Sequence, residues 1–80
     1  MPRLKILSGE DVIKILEYFD FAIISQKGSH VKLQRKLNNI KQTLIIPSHK
    51  EIDKGTLWAI FNQVSKYISP VELEKYFYQE

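Results

Sequence analysis

The spacing of apolar residues changes twice along this chain, and that change limits its possible folds more than any other feature. Four apolar residues from Val12 to Phe19 recur at i, i+3, i+4 and i+7, the spacing of one helix face. From Phe21 onward, runs rich in β-branched and aromatic residues are typical of strands, and a helical spacing returns at Leu57. This order predicts an α+β domain in which helices pack on one face of a sheet.

Three strands are predicted between the helical segments. The runs are Phe21–Gln26, His30–Arg35 and Gln42–Ile46, joined by a turn at Lys27–Ser29 and a longer loop at Lys36–Lys41. Because strand side chains alternate between faces, Val31 and Leu33 face the core while His30 and Lys32 face the other side. The sequence therefore predicts an α-β-β-β-α order and a three-stranded antiparallel sheet whose open face is basic.

The predicted helices begin at capping signals. Ser8 precedes the first helix with Asp11 at the capping-box position, and Asp53 is placed to cap the second. Ser69, followed by Pro70 and by an acid three positions after the serine, predicts a capping box at the start of a short C-terminal helix over about residues 69–79. We expect one domain over residues 1–80.

The acidic residues are unevenly placed. Residues 21–50 contain no Asp or Glu, although they hold both histidines and six of the twelve Lys and Arg residues. A basic, acid-free segment with histidines is suited to binding phosphate, and its chemistry would use imidazole rather than a metal held by carboxylates. Two histidines nineteen positions apart do not form a convincing metal site, so we expect neither metal nor cofactor.

Cysteine and long apolar runs are both absent from the sequence. Without Cys the chain forms no disulfide and carries out no thiol chemistry. No apolar run approaches 18 residues and no signal-like segment follows Met1, which leads us to expect a cytoplasmic protein without a membrane partner.

Four sequence motifs are similar to those of one protein family. They are Ser8 to Ile13, Phe21 with Gln26 to His30, Ile46 to His49, and Lys54 to Leu57. In order and spacing, over roughly residues 4–66, they resemble the HicA toxin family, also called YcfA-like. The resemblance implies a fold like that of double-stranded-RNA-binding domains and the activity of a metal-independent mRNA endoribonuclease. It also implies a type II toxin-antitoxin system with a HicB-type antitoxin as inhibitory partner, and no direct contact with DNA.

The resemblance further implies that the histidine of the Gly-Ser-His motif, His30, is catalytic. RNA cleavage needs a base for the ribose 2′-hydroxyl, positive charge on the phosphorane and an acid for the leaving 5′-oxygen. We assign the base to His30; His49 is the nearest acid by residue type, with water or a lysine as the alternative. The candidate RNA-binding residues are Lys27, Gly28, Ser29, Lys32, His49 and Lys54.

Other interpretations of these residues stay open. Lys32, Arg35, Lys36 and Lys41 form either an RNA track or a solvated surface, and an exposed histidine is often only a solvated polar residue. The alternative function is a non-catalytic module that binds double-stranded RNA, with a protein-interaction domain as a third option. Many relatives have a basic residue where this chain has Trp58, which we expect at the core edge, with a partner anchor as the alternative.

Overall fold

A computed structural model of the chain describes residues 3–79, which form three helices and two antiparallel sheets. In chain order the elements are β1 (Arg3–Leu4), α1 (Gly9–Tyr18), β2 (Ala22–Lys27), β3 (His30–Leu37), β4 (Ile40–Pro47), α2 (Lys54–Val64), α3 (Pro70–Phe77) and β5 (Tyr78–Gln79). Strands β2, β3 and β4 pair antiparallel in that order. The predicted α-β-β-β-α arrangement, like that of double-stranded-RNA-binding domains, is confirmed.

Helix α1 begins where its capping signal predicts. The Ser8 hydroxyl accepts a hydrogen bond from the Asp11 N–H, and the Ser8 N–H donates to Asp11 Oδ2, each at 3.0 Å. The second of these bonds is the main cause that lowers the pKa of Asp11 below its ordinary value. Val12 and Leu16 are fully buried, so the predicted apolar face does pack on the sheet.

The β3–β4 hairpin is longer than predicted and its turn is tighter. Strand β3 runs to Leu37 and β4 starts at Ile40, so Asn38 and Asn39 alone make the turn. Both asparagines have positive φ, 52° and 66°, the conformation that a type I′ hairpin turn requires. The predicted loop at residues 36–41 is therefore wrong at both ends, because adjacent Asn residues suffice for a two-residue connection.

The last two helices begin in different ways. Asp53 caps α2, accepting hydrogen bonds from the Thr56 N–H and hydroxyl at 3.1 and 2.8 Å. Ser69 is the N-cap of α3, but its side chain makes no capping hydrogen bond, so the predicted capping box is wrong. Helix α3 ends at Phe77 rather than near residue 79, because Tyr78 and the residue after it pair with β1.

One apolar core joins the helices to a single sheet face. Leu33 and Leu44 of the sheet, with Leu57 and Leu73 of the helices, are almost completely buried. Trp58 lies outside this core with 57% of its surface exposed, so the expected position at the core edge is wrong. Its exposure follows from its place one residue beyond Leu57, off the buried stripe of α2.

Arg35 of β3 is part of the folded framework rather than of the open surface. Its guanidinium donates to the Phe19 carbonyl at 2.8 Å, to the Tyr67 carbonyl at 2.9 Å and to the Gln42 side chain at 2.5 Å. It also lies 4.9 Å from the centre of the Phe21 ring, a cation–π distance. These contacts join β3 to the end of α1 and to the segment after α2, so Arg35 is not a free RNA contact.

Candidate active site on the open sheet face

The β2–β3 turn presents His30 at one end of the sheet. Lys27 and His30 are register partners, which leaves Gly28 and Ser29 as a two-residue turn. Gly28 has a φ of +59°, and a Cβ built there would meet no atom within 4 Å. Glycine is therefore favoured by backbone conformation and not by lack of space, as at the first central position of a II′ turn.

This turn is braced from both neighbouring strands. The Gln26 side-chain amide donates to the Gly28 carbonyl at 3.1 Å. The Ser48 N–H donates to the Ser29 carbonyl at 2.6 Å, and Pro47 pairs with His30 across β3 and β4. The backbone that presents His30 is therefore held in place by β2 and by the end of β4.

A β-bulge in β2 decides which side chains accompany His30. The register is Ile23 with Leu33 and then Ser25 with Lys32, so Ile24 is the additional residue. Strict alternation from the core residue Phe21 would place Ser25 and Lys27 on the helix side. The extra residue reverses that alternation, and both side chains fall on the open face beside Lys32 and His30.

His30 lies in a shallow depression of about 470 Å³ on this face. Its lining side chains are Ser25, Lys27, His30, Lys32 and Ile45. The structure thus brings His30 together with two of the predicted lysines, and all three side chains are exposed. Sequence reasoning missed Ser25 and Ile45; the signal for Ile45 was an apolar residue at an open-face position of β4.

The charge of the lysines in the depression is not neutralised by neighbouring acids. Across residues 3–79, the ion pair shorter than 4.0 Å joins Lys14 to Glu10 on α1, at 3.5 Å. Lys27 and Lys32 therefore lie beside the His30 imidazole in a water-accessible setting, without a carboxylate within 4.0 Å among the described residues. Such an arrangement can attract a phosphodiester and place a proton acceptor next to it.

His49 lines a different cavity from His30. Its side chain lines a separate groove of about 560 Å³ between α1 and β2, where Glu10, Ile23 and Lys50 are also found. Its backbone carbonyl accepts a hydrogen bond from the Gly9 N–H at 2.8 Å. The two histidines therefore line two different cavities, His49 the groove beside α1 and His30 the depression on the open face.

The start of α2, with Lys54, already holds a negative group. Both carboxylate oxygens of Asp53 accept hydrogen bonds from Thr56, and the bond from the Thr56 hydroxyl is the main cause that lowers the Asp53 pKa. An anionic cap competes with phosphate for the N–H groups of this helix end. The exposed side chain of Lys54 is then the group at this helix end that could meet an anion.

Gly9 permits the close approach of α1 to the end of β4. A Cβ at this position would lie 2.0 Å from the Pro47 carbonyl oxygen and 2.8 Å from the Ser48 Cα. Pro47 pairs with His30, and Ser48 bonds the turn beside it. Gly9 therefore lets the helix support the strand end that holds the His30 backbone.

Neither a metal cluster nor a membrane span is found in the described part of the chain. No group of three His, Cys, Asp or Glu side chains in residues 3–79 is arranged to hold a metal ion. No helix within the same range has the length and apolar character needed to cross a bilayer.

Comparison with known proteins identifies one family. No curated protein and no solved structure matches the chain. The model of one protein family, described as HicA toxin of bacterial toxin-antitoxin, matches residues 9–65. This range includes α1, the three-stranded sheet with His30, and α2. Because the match spans more than half of the 80 residues, the chain belongs to the HicA toxin family, as the toxin of a bacterial toxin-antitoxin system whose partner is an antitoxin.

Proposed function

We propose that this toxin is a metal-independent mRNA endoribonuclease with His30 as its general base. One observation carries the proposal: an exposed histidine shares a depression on the open sheet face with Lys27 and Lys32. Family membership supports it independently, because the HicA toxin family is known for toxins that cleave mRNA. The proposed location is the cytoplasm, where mRNA is translated.

The proposed reaction uses the nucleophile that RNA itself carries. His30 takes the proton of the ribose 2′-hydroxyl, and the 2′-oxygen attacks the adjacent phosphorus. The bond from phosphorus to the 5′-oxygen breaks, which gives a 2′,3′-cyclic phosphate and a 5′-hydroxyl end. A well-placed base contributes about 10²- to 10⁴-fold to the rate of such a step.

The remaining candidate residues bind and position the RNA in this proposal. Lys27 and Lys32 stabilise the negative charge that grows on the phosphorane oxygens. Gly28 and Ser29 form the turn that holds the His30 backbone and meets the RNA beside the scissile phosphate. Outside the depression, His49 and Lys54 contact flanking phosphates. Because His49 lines a different groove, the leaving oxygen takes its proton from water or from a lysine.

A HicB-type antitoxin inhibits the enzyme by covering the same face in this proposal. The depression combines exposed lysines with the half-exposed side chain of Ile45. A partner surface with carboxylates around an apolar centre is complementary to it. Binding there would exclude RNA from His30 without any change in the toxin fold.

The decisive experiment compares wild type with His30→Ala on a defined mRNA in the presence of EDTA. We expect wild type to cut and His30→Ala to lose at least about 100-fold in rate while it still binds the RNA. Deoxyribose at the cut position should abolish cutting, because the nucleophile is then absent. The matched variant His49→Ala should retain most of the rate. Full activity of His30→Ala, or loss of cutting on chelation, would contradict the proposal.

The same experiment separates the second candidate function, a non-catalytic module that binds double-stranded RNA. That function is favoured by the fold, whose element order is that of such domains, and by the basic face. A protein that shifts RNA on a gel but never shortens it under any of these conditions would establish the module instead.

A further inference from the structure

Two lysines face each other at the far end of the β3–β4 hairpin. Lys36 and Lys41 are register partners, and both side chains are exposed. The pairing of β3 with β4 runs without a shift from His30 to Leu37. Residues 30, 32, 34 and 36 therefore share one face, and this lysine pair lies on the open face that carries His30.

The pair is unfavourable for the hairpin by itself. Like charges directly opposite each other on a sheet repel and destabilise the pairing. In the part of the chain that the structure describes, neither lysine has a carboxylate within 4.0 Å, and residues 21–50 contain no acid at all. A ligand with negative charge bound between the two lysines would relieve this repulsion.

The surface between His30 and the pair carries no negative charge. Lys36 lies six positions after His30, and at a rise of about 3.3 Å per residue this is a distance of about 20 Å along β3. Lys32 with the half-exposed Ile45 comes first, followed by Gln34 and Thr43, whose side chains are hydrogen-bonded at 3.1 Å. The open face is thus a continuous basic and polar strip with the candidate catalytic group at one end.

We infer that Lys36 and Lys41 form a second phosphate-binding point, and that single-stranded RNA runs along the sheet from His30 to the Asn38–Asn39 turn. The inference rests on the proposed ribonuclease function. It adds to that function the direction in which the RNA lies on the sheet and the length of RNA that the sheet contacts. RNA is the occupant because it supplies a phosphate at every nucleotide, matching a row of cations without acids. Ile45 offers an apolar surface to a base or ribose midway.

The inference predicts that KM depends on the length of the RNA substrate. A single binding site near His30 would not give such a dependence. An RNA of about 4 nucleotides around the cut site reaches only the depression, whereas an RNA extended by several nucleotides on one side reaches the lysine pair. Extension on the correct side should therefore lower KM in wild type and leave kcat unchanged. Extension on the other side should have little effect.

The test variant is the double substitution Lys36→Gln with Lys41→Gln. The matched control is Lys66→Gln with Lys75→Gln, which removes the same charge from exposed positions outside the sheet. With the extended RNA, the test variant should raise KM on the order of tenfold at unchanged kcat, and its log–log salt slope should fall by about 0.7, the value for one single-strand phosphate. With the short RNA, test and control variants should both behave as wild type.

Three results would overturn the inference. One is a test variant with wild-type KM and salt slope on every RNA length, while wild type still cuts; the proposed function would then stand alone. Another is a variant that loses antitoxin affinity but not RNA affinity, which would assign the pair to the antitoxin interface. If wild type cuts no RNA, the proposed function fails, and fluorescence anisotropy with the same RNAs still tests the pair: equal Kd values for test and control variants would overturn it.

Discussion

The two faces of β3 differ in what their side chains contact. Val31 and Leu33 point into the core and are 2% and 0% exposed, whereas His30 and Lys32 on the alternate positions are open to water. The helix-covered face holds the domain together, and the open face carries charge with no acid beside it. Substitutions on the covered face of β3 should therefore lower the stability of the domain. Substitutions on its open face should instead affect RNA cleavage and leave the stability nearly unchanged.

The largest difference in stability should separate Leu33→Ala from Lys32→Ala. Removal of a fully buried leucine side chain leaves a cavity and should lower the free energy of unfolding by about 2–5 kcal/mol. Lys32→Ala should change it by less than about 0.5 kcal/mol, because this side chain is exposed. Urea unfolding followed by circular dichroism measures both, and similar losses in the two variants would contradict the division between faces.

Arg35→Lys should cost about 2 kcal/mol although it keeps the net charge. Lysine cannot reproduce the hydrogen bonds that the guanidinium donates to Phe19, Tyr67 and Gln42. The matched variant on the open face is Lys36→Arg, which should leave stability within about 0.5 kcal/mol of wild type. An Arg35→Lys protein with wild-type stability but weakened RNA binding would show that Arg35 belongs to the open face after all.

Gly9→Ala should affect both the stability of the domain and the backbone near His30 on the open face. Its Cβ would clash with the Pro47 carbonyl, so we expect a loss of about 1–3 kcal/mol in the free energy of unfolding. The movement should also reach His30 through its partner Pro47, which NMR shifts of the Ser29 and His30 amides would detect. The control is Gly55→Ala, whose Cβ would make an ordinary 3.5 Å contact with Asp53 and which should stabilise the helix by about 0.5–1 kcal/mol.

A smaller loss of stability is expected when the caps of the helices that cover the sheet are changed. Ser8→Ala removes the acceptor for the Asp11 N–H and should cost about 1 kcal/mol. Ser69→Ala should change stability by less than about 0.5 kcal/mol, since the Ser69 side chain makes no capping bond. Thermal unfolding of both variants checks the contrast, and equal costs would mean that Ser69 does cap α3 in solution.

The smallest change in stability is expected for Lys41→Glu, and it should be a gain rather than a loss. Lys41→Glu replaces repulsion with attraction across the hairpin and should raise the free energy of unfolding by about 0.2–1 kcal/mol. The gain should shrink in 1 M salt, where the Debye length falls to about 3 Å. A destabilised Lys41→Glu protein at low salt would show that the facing lysines do not repel in the free toxin.

Much of this fold was predictable because short-range rules decide it. The Ser8 capping box, the Asp53 cap and the alternation along β3 are each set by residues within a few positions of one another. Pairing of β1 with β5 was not predictable, since two-residue strands carry no periodic signal and their partners are over seventy residues apart. The unused Ser69 hydroxyl shows that a capping signal does not guarantee the bond.

The candidate site was predictable in part for the same reason. Alternation alone exposes His30 and Lys32, and the Gly28 turn is a local signal. The contacts of Arg35 depend on carbonyls from two other segments, so its charge gave a misleading indication of an open surface. The position of His49 in the groove beside α1, outside the depression that holds His30, likewise depends on how α1 approaches the segment after β4, which no local pattern encodes.

The bulge at Ile24 gives β2 one residue that its pairing with β3 does not use. If Ile24 were lost, Ile23 would still pair with Leu33 and the next residue, Ser25, with Lys32, so Ser25 and Lys27 would stay on the open face by plain alternation. The pairing of β3 with β4 contains no such spare residue, and a deletion within β3 would move the side chains beyond it to the opposite face. During evolution, a three-nucleotide deletion should therefore be tolerated at the bulge of β2 and should inactivate the toxin within β3.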